Sequence, residues 1–386
     1  MKEKSNQVTS RPIVFVGLNG YDLPYTRVRC YHFAKALQEL GMATEVLTYR
    51  DHLAPHRTGK LLDLRDLDKL PLIAKAVWRL KRMHPEMLYV QKAHYHAAAP
   101  YLLYRWFNQP YILDYDDWDF DRSPFFNRPW LNDLVFKHQA NLEVSHQLVR
   151  DAKAVIVSSH HLKEYIEKLN PKTYLVETGV DIVRFSRKTE IAKDIPATFV
   201  WCGDVWGEII YQNVLFLLEC FAEVNQRNPA AIFKLAGTGE MMPRVKEIVQ
   251  TRFSRYNIKI FDWIDPDKIP EFLAESNIGL LPLLSDSANT DWIKGKSPTK
   301  YFEYMAMGLA SVSTRIGEIE YIVDDGIDGF LASNKEEFID KMDRLAQNAE
   351  LRFQMGMKAR EKVEQKYSLN VLIERLNRII LEIINK

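Results

Sequence analysis

Short β-branched runs alternate with longer amphipathic ones along nearly the whole chain, and this alternation restricts the fold more than any other property. Strands separated by helical segments cannot pair as tight hairpins. They pair in parallel, with helices on the sheet faces. The pattern predicts strands at 12–16, 43–48, 87–90, 111–115, 154–157 and 175–177, with a first helix at 28–40 closed by Gly41. A polar, charged stretch at 186–196 reads as a linker. A second series follows: strands at 198–201, 232–235, 258–261, 278–281 and 310–313, and helices at 214–227, 353–366 and 370–384. Two serial sets of βα units predict two doubly wound α/β domains facing one cleft.

Bulk properties remove several function classes. At 386 residues the chain is long enough for about two domains. A formal net charge of +1 gives no general attraction to nucleic acid. Cys30, Cys202 and Cys220 share no metal-ligand spacing and suit a reducing compartment. The first eleven residues are polar and lack a signal-peptide core, and no apolar run approaches the ~20 residues of a membrane span. The expected location is cytoplasmic, with peripheral contact on the inner membrane face admitted.

Ligands of doubly wound sheets sit at the carboxyl ends of the strands. Glycines fall at several predicted strand-to-helix junctions: Gly17 and Gly20, Gly203, Gly237 and Gly239, and Gly295. Each could let backbone approach a ligand or simply make a tight turn. The segment from Gly295 to Gly308 is the most informative. Ser297 fits an N-cap and Pro298 the first helical position. Lys294, Lys296 and Lys300 crowd the same end, so amide groups and positive charge should form an anion site suited to a diphosphate. Glu303 lies too far along to cap that end and needs another reason to be there.

With these residues in view, the chain resembles the retaining glycosyltransferases of the GT-B fold, the group 1 family that uses nucleotide sugars. The residues carrying the resemblance are Val157-Ser-Ser, Thr178-Gly-Val-Asp181, Leu235-Ala-Gly-Thr-Gly239, Phe261-Asp-Trp-Ile264, the Ser297–Gly308 segment, Gly317 to Gly326, and Gly329. The resemblance implies two Rossmann-like domains, 11–188 plus 368–386 for the acceptor and 195–367 for the nucleotide sugar, with the last helix crossing back to the first. It implies that Glu303 holds the ribose hydroxyls, that Ser297 and Thr299 hold the diphosphate with Lys296 and Lys300 adding charge, and that Trp263 and Ile264 cradle the base. Gly203 and Gly237 would line the donor. No metal or cofactor is implied besides the nucleotide-diphosphate sugar as co-substrate. Three departures stand out. Gly295 replaces a family Glu that contacts the donor sugar. The stretch 203–210 lacks a family Arg and Lys. Asp116 occupies the place of a family His.

Other constellations allow more than one reading. Asp114, Asp116, Asp117, Asp119 and Asp121 follow a strand and could contact substrate, hold a metal, or form a solvated loop. His94 and His96 are too few for a zinc site, but His94 could line the cleft. Arg27 and Arg29, after the Gly20 turn, suit a phosphorylated acceptor, the donor diphosphate, or a surface ion pair. The basic segment 69–85 reads as an anionic-lipid dock or as the solvated face of a core helix. Phe125, Phe126 and Trp130 could rim a lipid-linked acceptor or simply pack.

The expected activity is sugar transfer to an acceptor hydroxyl with retention, in cell-surface polysaccharide or glycolipid assembly. Asp116, Lys296 and Lys300 are the candidate catalytic residues. Gly20, Arg27, Arg29 and His94 are the candidate acceptor residues. A non-catalytic nucleotide-sugar-binding scaffold and a GT-B-like epimerase are the rival readings. The oligomeric state is not legible.

Overall fold

The computed structural model describes residues 11–120, 125–186 and 196–385. Asp121 and most of the expected linker lie outside the described residues. The chain divides into two compact units. The first comprises the described residues of Met1–Thr178, Gly295–Ser297 and Leu372–Lys386; the second comprises those of Gly179–Lys294 and Pro298–Val371.

The first unit holds a six-stranded parallel sheet. Its strands are β1 (Ile13–Gly17), β2 (Thr44–Thr48), β3 (Met87–Gln91), β4 (Tyr111–Tyr115), β5 (Ala154–Val157) and β6 (Thr173–Leu175), in the order β2-β1-β3-β4-β5-β6. Phe15 stands opposite both Val46 and Tyr89, and Leu113 opposite both Val90 and Val155. β1, β3, β4 and β5 are buried along their whole length, as a sheet covered on both faces requires. The order turns between β1 and β3, so that switch point is where this unit can admit a ligand.

The second unit repeats the plan with β7 (Thr198–Cys202), β8 (Ile232–Ala236), β9 (Ile258–Phe261), β10 (Ile278–Leu281), β11 (Ala310–Thr314) and β12 (Phe330–Ala332). The order β12-β11-β10-β7-β8-β9 is that of a nucleotide-binding doubly wound sheet, with its switch point between β7 and β10. The period of two splits the core into two layers. Phe199, Trp201, Phe233 and Leu235 point into one cluster, and Val200, Cys202, Ala236 and Leu281 into the other. Helix Thr299–Ala306 packs on the second layer through Tyr301, Phe302, Tyr304 and Met305, all fully buried. Gly279 in β10 makes this close approach possible, because a β-carbon there would run into the Tyr304 ring.

Some expected boundaries shift. The last strand of the first unit is Thr173–Leu175 rather than 175–177. The first helix starts at Pro24 and runs through a π-helical stretch, Arg27–His32, into Phe33–Glu39. The helix expected at 214–227 begins seven residues earlier, at Gly207. β12 is too short, at 3 residues, to leave a periodic signal.

Candidate active site

At the switch point of the second unit, three charges converge on the end of β7. Burial and then Glu303 push the Cys202 thiol up to about 12; Lys300 opposes that rise and Asp204 adds to it. Lys300 and Glu303 are three residues apart on helix Thr299–Ala306 and so share a face. Lys300 Nζ lies 5.6 Å from the centroid of the Trp201 ring. The first N–H groups of this helix, at Thr299 and Lys300, have no carbonyl of their own helix to donate to. A lysine, a helix start without a side-chain cap and a carboxylate one turn on are thus brought together at a crevice of the sheet.

The junction glycines have a structural reason. A β-carbon on Gly203 would lie 2.6 Å from Lys300 Cε. One on Gly237 would overlap the Gly203 carbonyl, and one on Gly239, at φ +111°, would lie 2.5 Å from the Val205 carbonyl. The β7 and β8 end loops therefore need these glycines to stack on each other. Val205 N donates to Thr238 O at 2.6 Å, and Gly203 N to Ala236 O at 3.0 Å. Trp263 is 61% exposed at the end of β9, which excludes the core-packing alternative for it. Its neighbour Ile264 packs on the second core layer.

The helix start differs from expectation by one residue, with consequences. Pro298 is the N-cap and Thr299 the first helical residue, and no side chain caps that end. Ser297 is therefore not the cap. Its Oγ lies 2.6 Å from Thr178 Oγ1, and its N–H donates to Asp116 O at 3.3 Å, both within the first unit. Lys296 also belongs to the first unit and stands 3.8 Å from Asp117. Of the four residues expected at one anion site, Lys296 and Ser297 belong to the first unit and Thr299 and Lys300 to the second. At Gly295 a β-carbon would lie 3.0 Å from Trp118 Cβ, a tight approach.

In the first unit the acidic residues are organised around Lys92, which the sequence reading missed. Lys92 follows β3 with φ 62°, a left-handed conformation unusual for a side-chain-bearing residue. Its Nζ lies 2.8 Å from Asp117, 3.2 Å from Asp119 and 3.5 Å from Asp116, with the Tyr25 ring centroid at 4.7 Å. Burial raises the Asp116 carboxyl to about 6; Lys92 pulls the other way. Burial also raises Asp119, whereas for Asp117 the pull of Lys92 and Lys296 outweighs burial and lowers it. An ammonium already sits where a metal would have to bind. Among the described residues no group of three or more His, Cys, Asp or Glu is placed to hold a metal ion. The one signal in the sequence was indirect: so many adjacent carboxylates at a buried strand end demand a counter-charge.

Asp114 stands apart from this cluster. It is fully buried, accepts from Arg29 Nε at 2.8 and 2.9 Å and from the Tyr89 hydroxyl at 2.5 Å, and has Arg29 Nη2 in ion-pair contact at 2.7 Å. Arg29 is equally buried, and its Nη1 donates to Val176 O at 3.0 Å. Arg29 is therefore a structural tie between the first helix, β4 and the chain after β6, not an acceptor-facing cation. Arg27 is 7% exposed and its Nη1 donates to the carbonyls of Tyr21 and Asp22 at 3.2 Å, so both arginines are buried rather than surface cations. Gly20 packs against Asp51, which accepts from Tyr21 N at 3.0 Å. His94 and His96 are buried, and burial lowers both to about 3, so they are neutral. His94 Nδ1 is buried with no hydrogen-bond partner among the described residues.

The basic segment also needs correction. Helix Asp66–Arg82 turns Lys69 inward, 1% exposed, where Nζ meets Asp66 Oδ1 and Phe125 O at 3.2 Å. Phe125 and Phe126 are core residues; only Trp130 of that trio, at 55%, is exposed.

Comparison with known proteins agrees with this architecture. Residues 196–348 match the sequence family described as "Glycosyl transferases group 1", and residues 26–177 match "Glycosyl transferase 4-like domain". The alpha-D-kanosaminyltransferase of Streptomyces kanamyceticus is 24% identical over 174 residues, 45% of this chain and 43% of that protein. The alignment thus spans less than half of that relative. Sucrose-phosphate synthase from Thermosynechococcus elongatus has a similar fold, with TM-score 0.71 and 14% identity, covering 97% of this chain and 99% of that one. Anabaena HepE, solved with UDP and glucose, gives TM-score 0.65 and 16% identity over 96% of this chain and 100% of that one.

Proposed function

We propose that this chain of GT-B fold, whose residues 196–348 match the group 1 glycosyltransferases and residues 26–177 a glycosyltransferase 4-like domain, moves a sugar from a nucleoside-diphosphate sugar to an acceptor hydroxyl with retention of anomeric configuration. The observation that carries this reading is the convergence of Lys300 and Glu303 on the carboxyl end of β7. Lys300 and the amides at Thr299 and Lys300 take the diphosphate, where negative charge grows as the bond from the anomeric carbon to the phosphate oxygen breaks. Glu303 accepts from both ribose hydroxyls, which a carboxylate can do at once. Exposed Trp263, with Ile264 behind it, offers a face to the base. Gly203 and Gly237 keep the loops thin enough for this approach.

In the first unit we assign the acceptor to the crevice between β1 and β3. Neutral His94 and the Lys92-held carboxylates, Asp116 foremost, offer hydroxyl-binding groups. The acceptor oxygen attacks from the face the phosphate leaves, and a phosphate oxygen takes its proton, so no separate protein base is needed. The product class we assign is a cell-surface polysaccharide or glycolipid, the class of the lipopolysaccharide outer core galactosyltransferase WaaB, a structural neighbour at TM-score 0.63 and 13% identity.

The test is a donor panel beginning with UDP-sugars, since HepE binds UDP, read as nucleotide release and as product anomeric configuration by NMR. Retained configuration, with release abolished by Lys300→Ala in a folded protein, is expected. Inversion sinks the stereochemical claim, and undiminished turnover in the variant sinks the site.

A further inference from the structure

Helix Asp66–Arg82 is built inside out. Its charged pair, Asp66 and Lys69, is buried. Its exposed stripe runs Leu67, Pro71, Ala74, Lys75, Trp78, Lys81 and Arg82, at helical spacing; the one acid beside it, Asp68, lies at the far end of the helix, 3.6 Å from Arg57. Leu67 is 60% and Trp78 56% exposed. The carboxyl end of helix Ala98–Phe107 lies alongside: Lys81 Nζ sits 3.9 Å over the Phe107 ring, and Arg105, Trp106 and Phe107 are all exposed. Arg82 in turn lies 4.6 Å over Trp78. Trp78, Trp106 and Phe107 and the three cations Lys81, Arg82 and Arg105 therefore form one surface, interleaved, with Lys75 further along the same stripe. Both helices run antiparallel to the strands, so this surface lies toward the amino ends of β3 and β4, away from the carboxyl-end crevice.

We propose that this surface docks on the headgroup layer of an anionic lipid bilayer. The chemistry matches at two levels. Tryptophan and phenylalanine prefer the boundary between headgroups and acyl chains, and the lysine and arginine heads reach back to lipid phosphates. A protein partner of neutral charge would leave the three cations unmatched, and a second copy would bring like charge against like. No described helix is long and apolar enough to cross a membrane, so the contact is a lying-on, not a spanning one. The inference goes beyond the proposed transfer reaction and does not depend on it.

The experiment is co-sedimentation of the full chain with vesicles of phosphatidylcholine alone and of phosphatidylcholine containing about one third phosphatidylglycerol, at low and high salt. Binding should require the anionic lipid and weaken with salt. The charge reversal K81E/R82E/R105E should weaken it by about a hundredfold or more, the sum expected from three surface cations. W78S/W106S should weaken it while leaving its salt dependence intact. All of these residues are exposed, so thermal melting should report unchanged folding. Equal binding to neutral vesicles, no binding at all, or a dimer in light scattering that the same reversal dissolves would each overturn the proposal.

Discussion

The Lys300 side chain lies across Gly203, with Cε 2.6 Å and Nζ 2.9 Å from where a β-carbon on that glycine would stand. The obstructing atoms are the far end of a flexible chain, so Gly203→Ala should leave the fold intact and displace the ammonium. Nucleotide-sugar turnover should fall about as far as in Lys300→Ala, roughly 10²–10³-fold, the loss typical of one oriented charge-stabilising group. Steady-state kinetics beside thermal melts of both variants check this.

Gly237→Ala should behave in the opposite way. Its methyl would strike the Gly203 carbonyl, a backbone atom that cannot turn aside. A stability loss of about 3 kcal/mol or more is expected in urea unfolding.

Glu303→Gln keeps shape and one acceptor oxygen but gives up the charge. Affinity for nucleoside diphosphates should drop about 10- to 100-fold, as for loss of hydrogen bonds to a charged group. The corresponding 2′-deoxynucleotide should lose less in the variant than in the parent. Isothermal titration of the four combinations decides the point.

Arg29→Ala should cost about 3–5 kcal/mol of stability, because Asp114 would be left charged and buried without its partner. If Arg29 instead served the acceptor, a stable variant with a raised acceptor KM would result.

Asp116 supplies a pH signature. Its carboxyl is raised to about 6 in the folded protein, above its unfolded value of about 3.9. The stabilisation tied to its protonated form is complete below the unfolded value and disappears as pH climbs through about 6. Asp116→Asn should therefore gain stability relative to the parent between pH 4 and pH 7. Urea unfolding of both at the two ends gives the sign.

The two-unit α/β plan was legible because β-branched runs and amphipathic runs carry different periods, and because parallel strands are apolar throughout. Glu303 stands out in the sequence through its misfit: a carboxylate among Tyr301, Phe302, Tyr304 and Met305 has no packing reason to be there. Arg29 was misread because its partner lies 85 residues away, and nothing local distinguishes a buried arginine from an exposed one. Lys92 was missed for the same reason; only the folding together of β3 and β4 brings it among the aspartates. Ser297 and Lys296 were misplaced because a serine before Pro-Thr fits a cap by local rules, whereas here Thr178, Asp116 and Asp117 claim them.

The closing helix, Leu369–Ile384, has a consequence for biosynthesis. From Leu372 onward it belongs to the unit whose main run ends at Thr178, burying Leu372, Ile373, Leu376, Ile380 and Ile383 and pairing Arg375 with Glu177 at 2.6 Å. On the ribosome, the earlier unit must wait with that apolar seat unfilled while the later one is translated. An amino-terminal domain usually matures first during synthesis; here the core of the first unit is completed by residues made last.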